Sequence, residues 1–349
     1  MDKLTWFEKA LFYIEVINNF YYYALNMFTN GLELLAIPAF ILGVVFLYKG
    51  SDLLVDGVSK TAAQFGISAL IISVLLVGFG TSAPELSISV GAAIQNQSDI
   101  SLGNIIGSCI ANILLVLGLS SIISPIKIKK GIIRREAPIM LLATIILVFF
   151  SALNLLDEYH MLGGVLFIIF FIIFVWFFIH CAKKERNNKK DFDNGNTNKN
   201  ILLIFLGISA VVFGAYLLIE SAVTIATILE ISPFIIALSM VAIGTSLPEL
   251  VVSAVAAYKK ESDIAVGNVL GSNVFNILLI LGIAALFIPL GAIGSMDDMI
   301  ILLIVSIIVV PICFTNHEIS RIEGVFMLML YGIYIWYIFF GYSYLPSLL

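Results

Sequence analysis

The heptapeptide Gly80-Thr81-Ser82-Ala83-Pro84-Glu85-Leu86 lies inside a long apolar stretch, and Gly244-Thr245-Ser246-Leu247-Pro248-Glu249-Leu250 repeats it almost unchanged. A carboxylate in the middle of a membrane-spanning segment is energetically costly, so its default interpretation is functional. A structural ion pair does not account for Glu85 or Glu249, because no Lys or Arg lies in the middle of an apolar stretch. The two motifs predict a duplicated membrane protein that handles cations.

The composition of the 349-residue chain is typical of a membrane protein, since 61% of the residues are hydrophobic and only 12% are charged. Ten apolar stretches are each long enough to cross a bilayer as a helix. They cover about residues 32–57, 68–95, 100–124, 137–156, 160–182, 200–222, 232–258, 264–290, 298–315 and 322–345.

The remaining segments set the predicted domain boundaries. Residues 1–31 mix aromatic and polar side chains, which favours an interfacial amphipathic segment over an eleventh span. They lack the basic, apolar and small-residue regions of a signal peptide. Residues 183–199 form a polar linker with an Asn194-Gly195 turn signal. The chain is thereby divided into a first five-helix half, 32–182, and a second, 200–349.

The basic residues predict the orientation. With ten spans, 15 of the 18 lysines and arginines fall on the side of the central linker. The positive-inside rule therefore places the linker in the cytoplasm and both termini outside.

The two halves are related by a constant offset of 164 residues. Across 99–118 and 263–282, twelve of twenty positions are identical, including Ser108 with Ser272 and Asn112 with Asn276. Five spans is an odd number, so the halves must enter the membrane from opposite sides. The predicted fold class is therefore an all-α polytopic membrane protein with ten transmembrane helices in two inverted five-helix repeats, an architecture common in secondary transporters.

The repeated motifs carry the ligands that hard cations prefer. Pro84 and Pro248 must kink or break their helices, which frees backbone carbonyls. Carboxylate, hydroxyl, amide and carbonyl oxygens together suit Na⁺ or Ca²⁺. Ser108 and Asn112 share a helix face, as do Ser272 and Asn276. Simple hydrogen bonding between helices remains an alternative for these four residues.

Other candidate features have simpler explanations. Small-residue spacing at Gly103, Gly107, Gly267 and Gly271 indicates close helix packing. Cys109, Cys181 and Cys313 lack the spacing of a disulfide framework or metal site and are interpreted as packing residues. A hydrolase is disfavoured because no nucleophile–base pair is visible in the middle of a span.

The paired G-T-S-x-P-E and G-N-x-x-G-S-x-x-x-N motifs resemble the two repeats of the sodium/calcium exchanger family, within the calcium/cation antiporter superfamily. The resemblance implies ten helices in two inverted halves, with cation sites between them. It also implies that Glu85 and Glu249 are the central Ca²⁺ ligands, shared with Na⁺. The other ligands implied are Thr81, Ser82, Thr245, Ser246, Ser108, Ser272, Asn112, Asn276 and the carbonyls of Gly78 and Ala242.

Departures from the family patterns refine the expected function. Asn276 stands where potassium-dependent relatives have Asp, which argues against potassium co-transport. Ser108 and Ser272 occupy motifs in which the proton-coupled branch carries Glu, which favours Na⁺ as the coupling ion. The short linker leaves no room for the regulatory domain of the animal exchangers, so the chain resembles the prokaryotic type.

We therefore expect an antiporter that exchanges Ca²⁺ for Na⁺ and extrudes Ca²⁺. A Ca²⁺/H⁺ antiporter is the main alternative and a cation channel a lesser one. Ca²⁺ and Na⁺ are the expected substrates and the lipid bilayer the expected surroundings. We expect no enzymatic activity, no tightly bound cofactor, no nucleic-acid partner and a functional monomer.

Overall fold

The structure is a computed structural model that describes residues 35–128, 135–187, 197–229, 244–292, 296–314 and 317–338. Helices account for nearly all of these residues. They are α1 Ala36–Phe65, α2 Ala69–Thr81, α3 Ala83–Ile94, α4 Ser98–Ile123, α5 Ala137–Ala152, α6 His160–Asn187, α7 Thr197–Ile228, α8 Leu247–Tyr258, α9 Ser262–Phe287, α10 Met296–Phe314 and α11 Arg321–Trp336.

Within the described ranges, five helices are individually long and apolar enough to cross a membrane: α1, α4, α6, α7 and α9. A sixth span results if α2 and α3, which meet at a bend of 48°, are counted as one broken span. The helices α5 and α8 are shorter apolar segments. Residues 1–31, predicted to form an interfacial segment, lie outside the described residues. The first part of the predicted span 232–258 lies outside them as well.

Several helix boundaries differ from the sequence prediction. The first predicted span stops near residue 57, whereas α1 continues to Phe65 and ends at Gly66, whose φ of 67° suits glycine. The sixth stops near residue 222, whereas α7 continues to Ile228. Both helices carry acidic residues near those limits, Asp56 and Glu220, which a hydropathy criterion counts as the end of a span. Of the last predicted span, 322–345, the helix α11 covers the part up to Trp336, and residues 339–345 lie outside the described ranges.

One element is not helical. Ile126–Lys127 (β1) pairs antiparallel with Glu318–Ile319 (β2), so a two-residue ladder joins the segment after α4 to the segment before α11. The ladder is a local addition to an otherwise helical described structure, and the all-α fold class predicted from the sequence still applies. Two residues are too few for a hydrophobic alternation to reveal a strand.

The helices α1 and α7 lie against each other through glycines. A Cβ atom added at Gly214 would come within 2.7 Å of the Leu47 backbone nitrogen and 2.9 Å of the Gly43 carbonyl oxygen. Gly50 and Gly207 make similar backbone approaches to the opposite helix. Because Gly43 and Gly50 match Gly207 and Gly214 at the 164-residue offset, the contact uses the same positions from both halves.

The helices α2 and α9 are packed as closely as α1 and α7. A Cβ atom at Gly271 of α9 would come within 2.5 Å of the Val74 carbonyl oxygen of α2, and one at Gly267 within 3.0 Å of the Leu70 carbonyl oxygen. The close packing predicted from the glycine spacing is therefore confirmed for these two glycines. The residues that the 164-residue offset makes equivalent to Leu70 and Val74 lie outside the described ranges. The helices α4 and α9 are among the most buried in the described structure.

Candidate functional site

The predicted helix break is found at Ser82, two residues before Pro84. The helix α2 ends at Thr81, and Pro84 lies in the first turn of α3. A proline is favourable there because the first N–H groups of a helix have no acceptor within the helix. In the second half, Ser246 precedes α8 and Pro248 lies in its first turn. The backbone angles of Ser82 (φ −81°, ψ 10°) and Ser246 (φ −85°, ψ 6°) are nearly the same.

The two glutamates occupy equivalent, fully buried positions. Glu85 lies in the first turn of α3 and Glu249 in the first turn of α8, each with 0% exposure. The positive end of each helix dipole favours an ionised carboxylate there. The two carboxylates are close enough to repel each other when both are charged. In the described chain, the ion pairs lie elsewhere, so no basic side chain compensates this charge.

The hydrogen bonds of the two carboxylates are unequal. Glu249 Oε1 accepts from the Ser82 hydroxyl at 3.0 Å and from the Ser272 hydroxyl at 3.2 Å. Within the described residues, Glu249 Oε2 and both oxygens of Glu85 are buried and make no hydrogen bond of ordinary length, and the Ser108 hydroxyl lies near the Glu85 carboxylate. Buried acceptors of this kind are costly unless something satisfies them. Three carboxylate oxygens are therefore available to a cation.

A polar chain from α2 to α9 lies beside Glu249. The Thr81 hydroxyl donates to Asn268 Oδ1 at 3.0 Å and lies 3.4 Å from the Ser272 hydroxyl. The Asn268 amide nitrogen in turn donates to Ser253 Oγ at 3.0 Å and to the Glu249 carbonyl oxygen at 3.2 Å. All of these hydrogen-bonded residues are buried.

The equivalent residues of the other half make the equivalent contacts. The Thr245 hydroxyl donates to Asn104 Oδ1 at 3.3 Å and lies 3.1 Å from the Ser108 hydroxyl. The Asn104 amide nitrogen donates to Ser89 Oγ at 2.9 Å. The polar contacts thus occur in pairs related by the 164-residue offset. Asn104 and Asn268 had no assigned role in the sequence analysis, although both stand in the repeated Gly-Asn pairs that could have identified them.

The cluster contains more acceptors than protons. The Ser272 hydroxyl has one proton, yet it lies 3.2 Å from both Glu249 Oε1 and the Gly78 carbonyl oxygen. The Thr81 hydroxyl likewise faces two acceptors at 3.0 Å, the Val77 carbonyl oxygen and Asn268 Oδ1. A hydroxyl donates to one acceptor at a time. The surplus of oxygen lone pairs gives the cluster a preference for a cation.

The two asparagines of the predicted set contribute further free oxygens. Asn112 and Asn276 are completely buried, and among the described residues the Oδ1 atom of each has no hydrogen-bond partner. A wide π-helical turn, Asn112–Val116, begins at the first, and another, Phe275–Ile280, contains the second. Such turns often occur at functional sites in helices.

The structure brings predicted ligands together in two hydrogen-bonded groups. Thr81, Ser82, Ser272, Glu249 and the Gly78 carbonyl oxygen form one group. Ser108 and Thr245 form the other, with their hydroxyls 3.1 Å apart. Ser246 is buried in the turn before α8. Ala242 lies outside the described residues.

Comparison with known proteins identifies, across most of the chain, the same family that the sequence motifs resemble. A family model described as "Sodium/calcium exchanger protein" matches residues 35–180 and 199–340, with no regulatory domain between the two ranges. The sodium/calcium exchanger MaX1 of Methanosarcina acetivorans is 35% identical over 342 residues, which cover 86% of this chain and 97% of the relative. The inner membrane protein YrbG of Escherichia coli is 31% identical over 325 residues, with 87% and 96% coverage.

A solved structure of the sodium-calcium exchanger NCX_Mj, soaked with Na⁺ and Sr²⁺, superposes with a TM-score of 0.76 at 35% identity. The superposition covers 87% of this chain and 98% of the solved one. The prediction of a helical, multi-pass membrane protein is confirmed by these matches and by the spanning helices. The chain belongs to the sodium/calcium exchanger protein family, whose members are membrane transporters that take Na⁺ and Ca²⁺ as substrates.

Proposed function

We propose that this protein exchanges Ca²⁺ for Na⁺ and extrudes Ca²⁺ from the cell at the expense of the Na⁺ gradient. The observation that carries the proposal is the pair of fully buried glutamates, which offer three unsatisfied carboxylate oxygens. Two buried carboxylates without basic partners either take up protons or are neutralised by a cation from outside the protein. A transported cation supplies that charge and leaves when the site opens.

The proposed ligands are hard oxygens from both halves. Glu85 and Glu249 are the central Ca²⁺ ligands, and Na⁺ shares them. Neutral oxygens of the cluster complete the set: Thr81, Ser82, Thr245, Ser246, Ser108, Ser272, Asn112, Asn276 and the carbonyls of Gly78 and Ala242. Ca²⁺ takes six to eight oxygen ligands, and a set of this size accommodates more than one ion position. Two carboxylates neutralise one Ca²⁺, so at least two Na⁺ ions are needed to replace its charge.

We infer that the architecture is two inverted five-helix repeats, residues 32–182 and 200–349, joined by the linker 183–199. The paired contacts Thr81–Asn268 and Thr245–Asn104 support this, since a pseudo-two-fold relation between the halves generates such pairs. Residues 1–31 form an interfacial segment. The distribution of basic residues supports a cytoplasmic linker and external termini. The site lies within one chain, which is consistent with a functional monomer.

The transport cycle is alternating access. The paired helices α1 and α7 slide or rock against a core that contains α2, α3, α4, α8 and α9. Occlusion requires the oxygen cluster to be occupied, because an empty cluster leaves two carboxylates to repel each other in a buried site. Occupancy by either Ca²⁺ or Na⁺ therefore couples the two fluxes.

The test is Ca²⁺ uptake by proteoliposomes loaded with Na⁺ and diluted into Na⁺-free buffer. Glu85→Gln and Glu249→Gln keep the side-chain volume, remove one charge each, and are expected to abolish uptake. Glu158→Gln makes the same chemical change at an exposed loop position and is expected to transport like the parent. Strong Na⁺-driven uptake by either buried-site variant would refute the proposed roles.

The coupling ion is tested with the same vesicles. Without Na⁺, an imposed pH gradient is expected to drive no Ca²⁺ uptake, whereas a Ca²⁺/H⁺ antiporter would respond to it. A channel would pass Ca²⁺ along its own gradient with neither Na⁺ nor a pH gradient present. Uptake under either of these Na⁺-free conditions would contradict Na⁺ coupling.

A further inference from the structure

Position 273 is where the two halves of the site differ most clearly in chemistry. At the 164-residue offset, Asn273 of α9 corresponds to Cys109 of α4. Both residues are buried, with exposures of 1% and 0%. The neighbouring polar positions, Ser108 with Ser272 and Asn112 with Asn276, are identical in the two halves. An amide in one half thus replaces a thiol in the other, directly beside the proposed cation ligands.

The amide of Asn273 is fixed by its surroundings. Its Nδ2 atom donates to the Cys109 carbonyl oxygen at 3.2 Å and contacts the Met140 sulfur at 3.6 Å. A backbone carbonyl oxygen is only an acceptor, so the nitrogen of Asn273 must face it. The Oδ1 atom of Asn273 therefore faces the other way, where it accepts from Asn112 Nδ2 at 3.0 Å.

This contact fixes the orientation of the Asn112 amide in turn. Because Asn273 presents an oxygen, the atom of Asn112 that faces it must be the nitrogen. The Asn112 oxygen is left buried and without a hydrogen-bond partner, one helical turn from Ser108. A cation ligand requires the oxygen end of an amide, and Asn273 makes that end available.

The equivalent asparagine of the second half has weaker support. The Cys109 thiol directs its proton at the Asn273 carbonyl oxygen at 3.9 Å, so toward the neighbouring Asn276 its sulfur can act only as an acceptor. Sulfur is a weak acceptor, and within the described structure neither amide atom of Asn276 makes a shorter hydrogen bond. The two asparagines, identical in sequence, are therefore held with different strength.

We propose that Asn273 is a positioning residue that orients the Asn112 amide oxygen toward the transported cation, and that the Cys109 sulfur holds the equivalent amide of Asn276 more weakly. This inference rests on the proposed function, because it assigns a cation to the Asn112 oxygen. Partners that orient a metal ligand without touching the metal commonly affect affinity about 10–100-fold. The two halves of the cation site are in consequence unequal, although their ligands match.

The experiment is a double-mutant cycle on the purified full chain. The readout is the Ca²⁺ concentration that gives half-maximal stabilisation against heat, which reports binding without transport. Asn273→Ala is expected to raise this concentration about tenfold. In an Asn112→Ala background the same change is expected to have less than a twofold effect, because Asn273 acts through Asn112. Asn200→Ala removes a buried amide that is bonded to Gln64, and is the matched control with unchanged Ca²⁺ affinity.

A second variant tests the other half by gain of a contact. Cys109→Asn replaces the weak sulfur contact by an amide and is expected to tighten Ca²⁺ binding, and Asn276→Ala is expected to abolish that gain. Equal effects of Asn273→Ala in both Asn112 backgrounds, or no effect of Cys109→Asn, would overturn the inference. The Cys109→Asn measurement still decides the question if Asn273→Ala fails to fold. Absence of any Ca²⁺ stabilisation in the parent protein would instead refute the proposed function itself.

Discussion

The Ser82 hydroxyl donates to Glu249 Oε1 over 3.0 Å, although the two residues are 167 positions apart and belong to opposite halves of the chain. The bond joins the break between α2 and α3 to the first turn of α8. Neither half of the protein therefore forms its part of the site alone. The carboxylate of the second half is held by a hydroxyl of the first.

Replacement of this hydroxyl is expected to weaken cation binding. A hydrogen bond to a charged group contributes about 1.5–3 kcal/mol, so Ser82→Ala should lower the apparent Ca²⁺ affinity by at least about tenfold. Ser87→Ala is the control on the same helix, because the exposed Ser87 hydroxyl bonds only its own helix at Ala83. The measurement is the Ca²⁺ dependence of uptake, and equal values for the two variants would contradict the assignment.

Close contact between α1 and α7 is expected to depend on Gly214. In Gly214→Ala the new methyl group would meet the Leu47 backbone nitrogen at 2.7 Å. Backbone atoms cannot move aside as a flexible side chain can, so we expect a loss of about 1–3 kcal/mol in unfolding free energy. Gly332→Ala, at an exposed position on α11, is the control. Thermal unfolding in detergent should show a lower Tm for Gly214→Ala only.

The end of α8 is tied to α1 by a lysine. Lys259 pairs with Asp56 at 2.7 Å and with Asp52. Burial alone would lower the pKa of Lys259, but the hydrogen bonds to Asp52 and Asp56 outweigh it and hold the pKa above its ordinary value. The ion pairs of Lys259 therefore contribute their full stabilisation below the ordinary lysine pKa of 10.5. That stabilisation is lost as the pH rises through the raised pKa of Lys259 in the folded protein.

We accordingly expect Lys259→Met to lower the Tm slightly at neutral pH, since partly exposed ion pairs contribute less than about 1 kcal/mol. The difference from the parent should vanish only in strongly alkaline buffer. Lys60→Met removes the more exposed pair with Asp56 within α1 and should leave the Tm unchanged. A difference that disappears near neutral pH would show that another group is responsible.

Orientation in the membrane is expected to follow the basic residues. In intact cells a membrane-impermeant maleimide should label Glu158→Cys, in the exposed segment between α5 and α6, without permeabilisation. Lys184→Cys, exposed at the linker end of α6, should react only after permeabilisation. The parent, with its native cysteines, gives the background. The reverse pattern would invert the proposed topology.

The sequence predicted the helix breaks better than the limits of the helices. Pro84 and Pro248 predicted the breaks because a missing N–H acts locally and does not depend on tertiary packing. Asp56 and Glu220 misled the assignment of helix ends, since a hydropathy criterion does not distinguish an acid inside a long helix from one that follows it. The ladder of Ile126 and Lys127 with Glu318 and Ile319 depends on a contact across most of the chain, which no local pattern encodes.

The polar network was only partly predictable, because partners are decided by geometry. Asn104 and Asn268 stand in repeated motifs, but only the structure shows that their oxygens accept from Thr245 and Thr81. Cys109 was interpreted as a packing residue, and in the described structure it is a free, buried thiol. The difference between Cys109 and Asn273 matters because each lies beside one of the two equivalent asparagines, Asn276 and Asn112.

The glycine contact between α1 and α7 has a consequence for leakage. Helices in backbone contact cannot separate or bend past each other without losing that contact, so we expect α1 and α7 to move together as one rigid body. In the proposed alternating-access cycle, the movement of this unit that opens the site on one side closes it on the other. Continuous passage of ions would need the two helices to part, and the glycines at positions 43, 50, 207 and 214 oppose that separation.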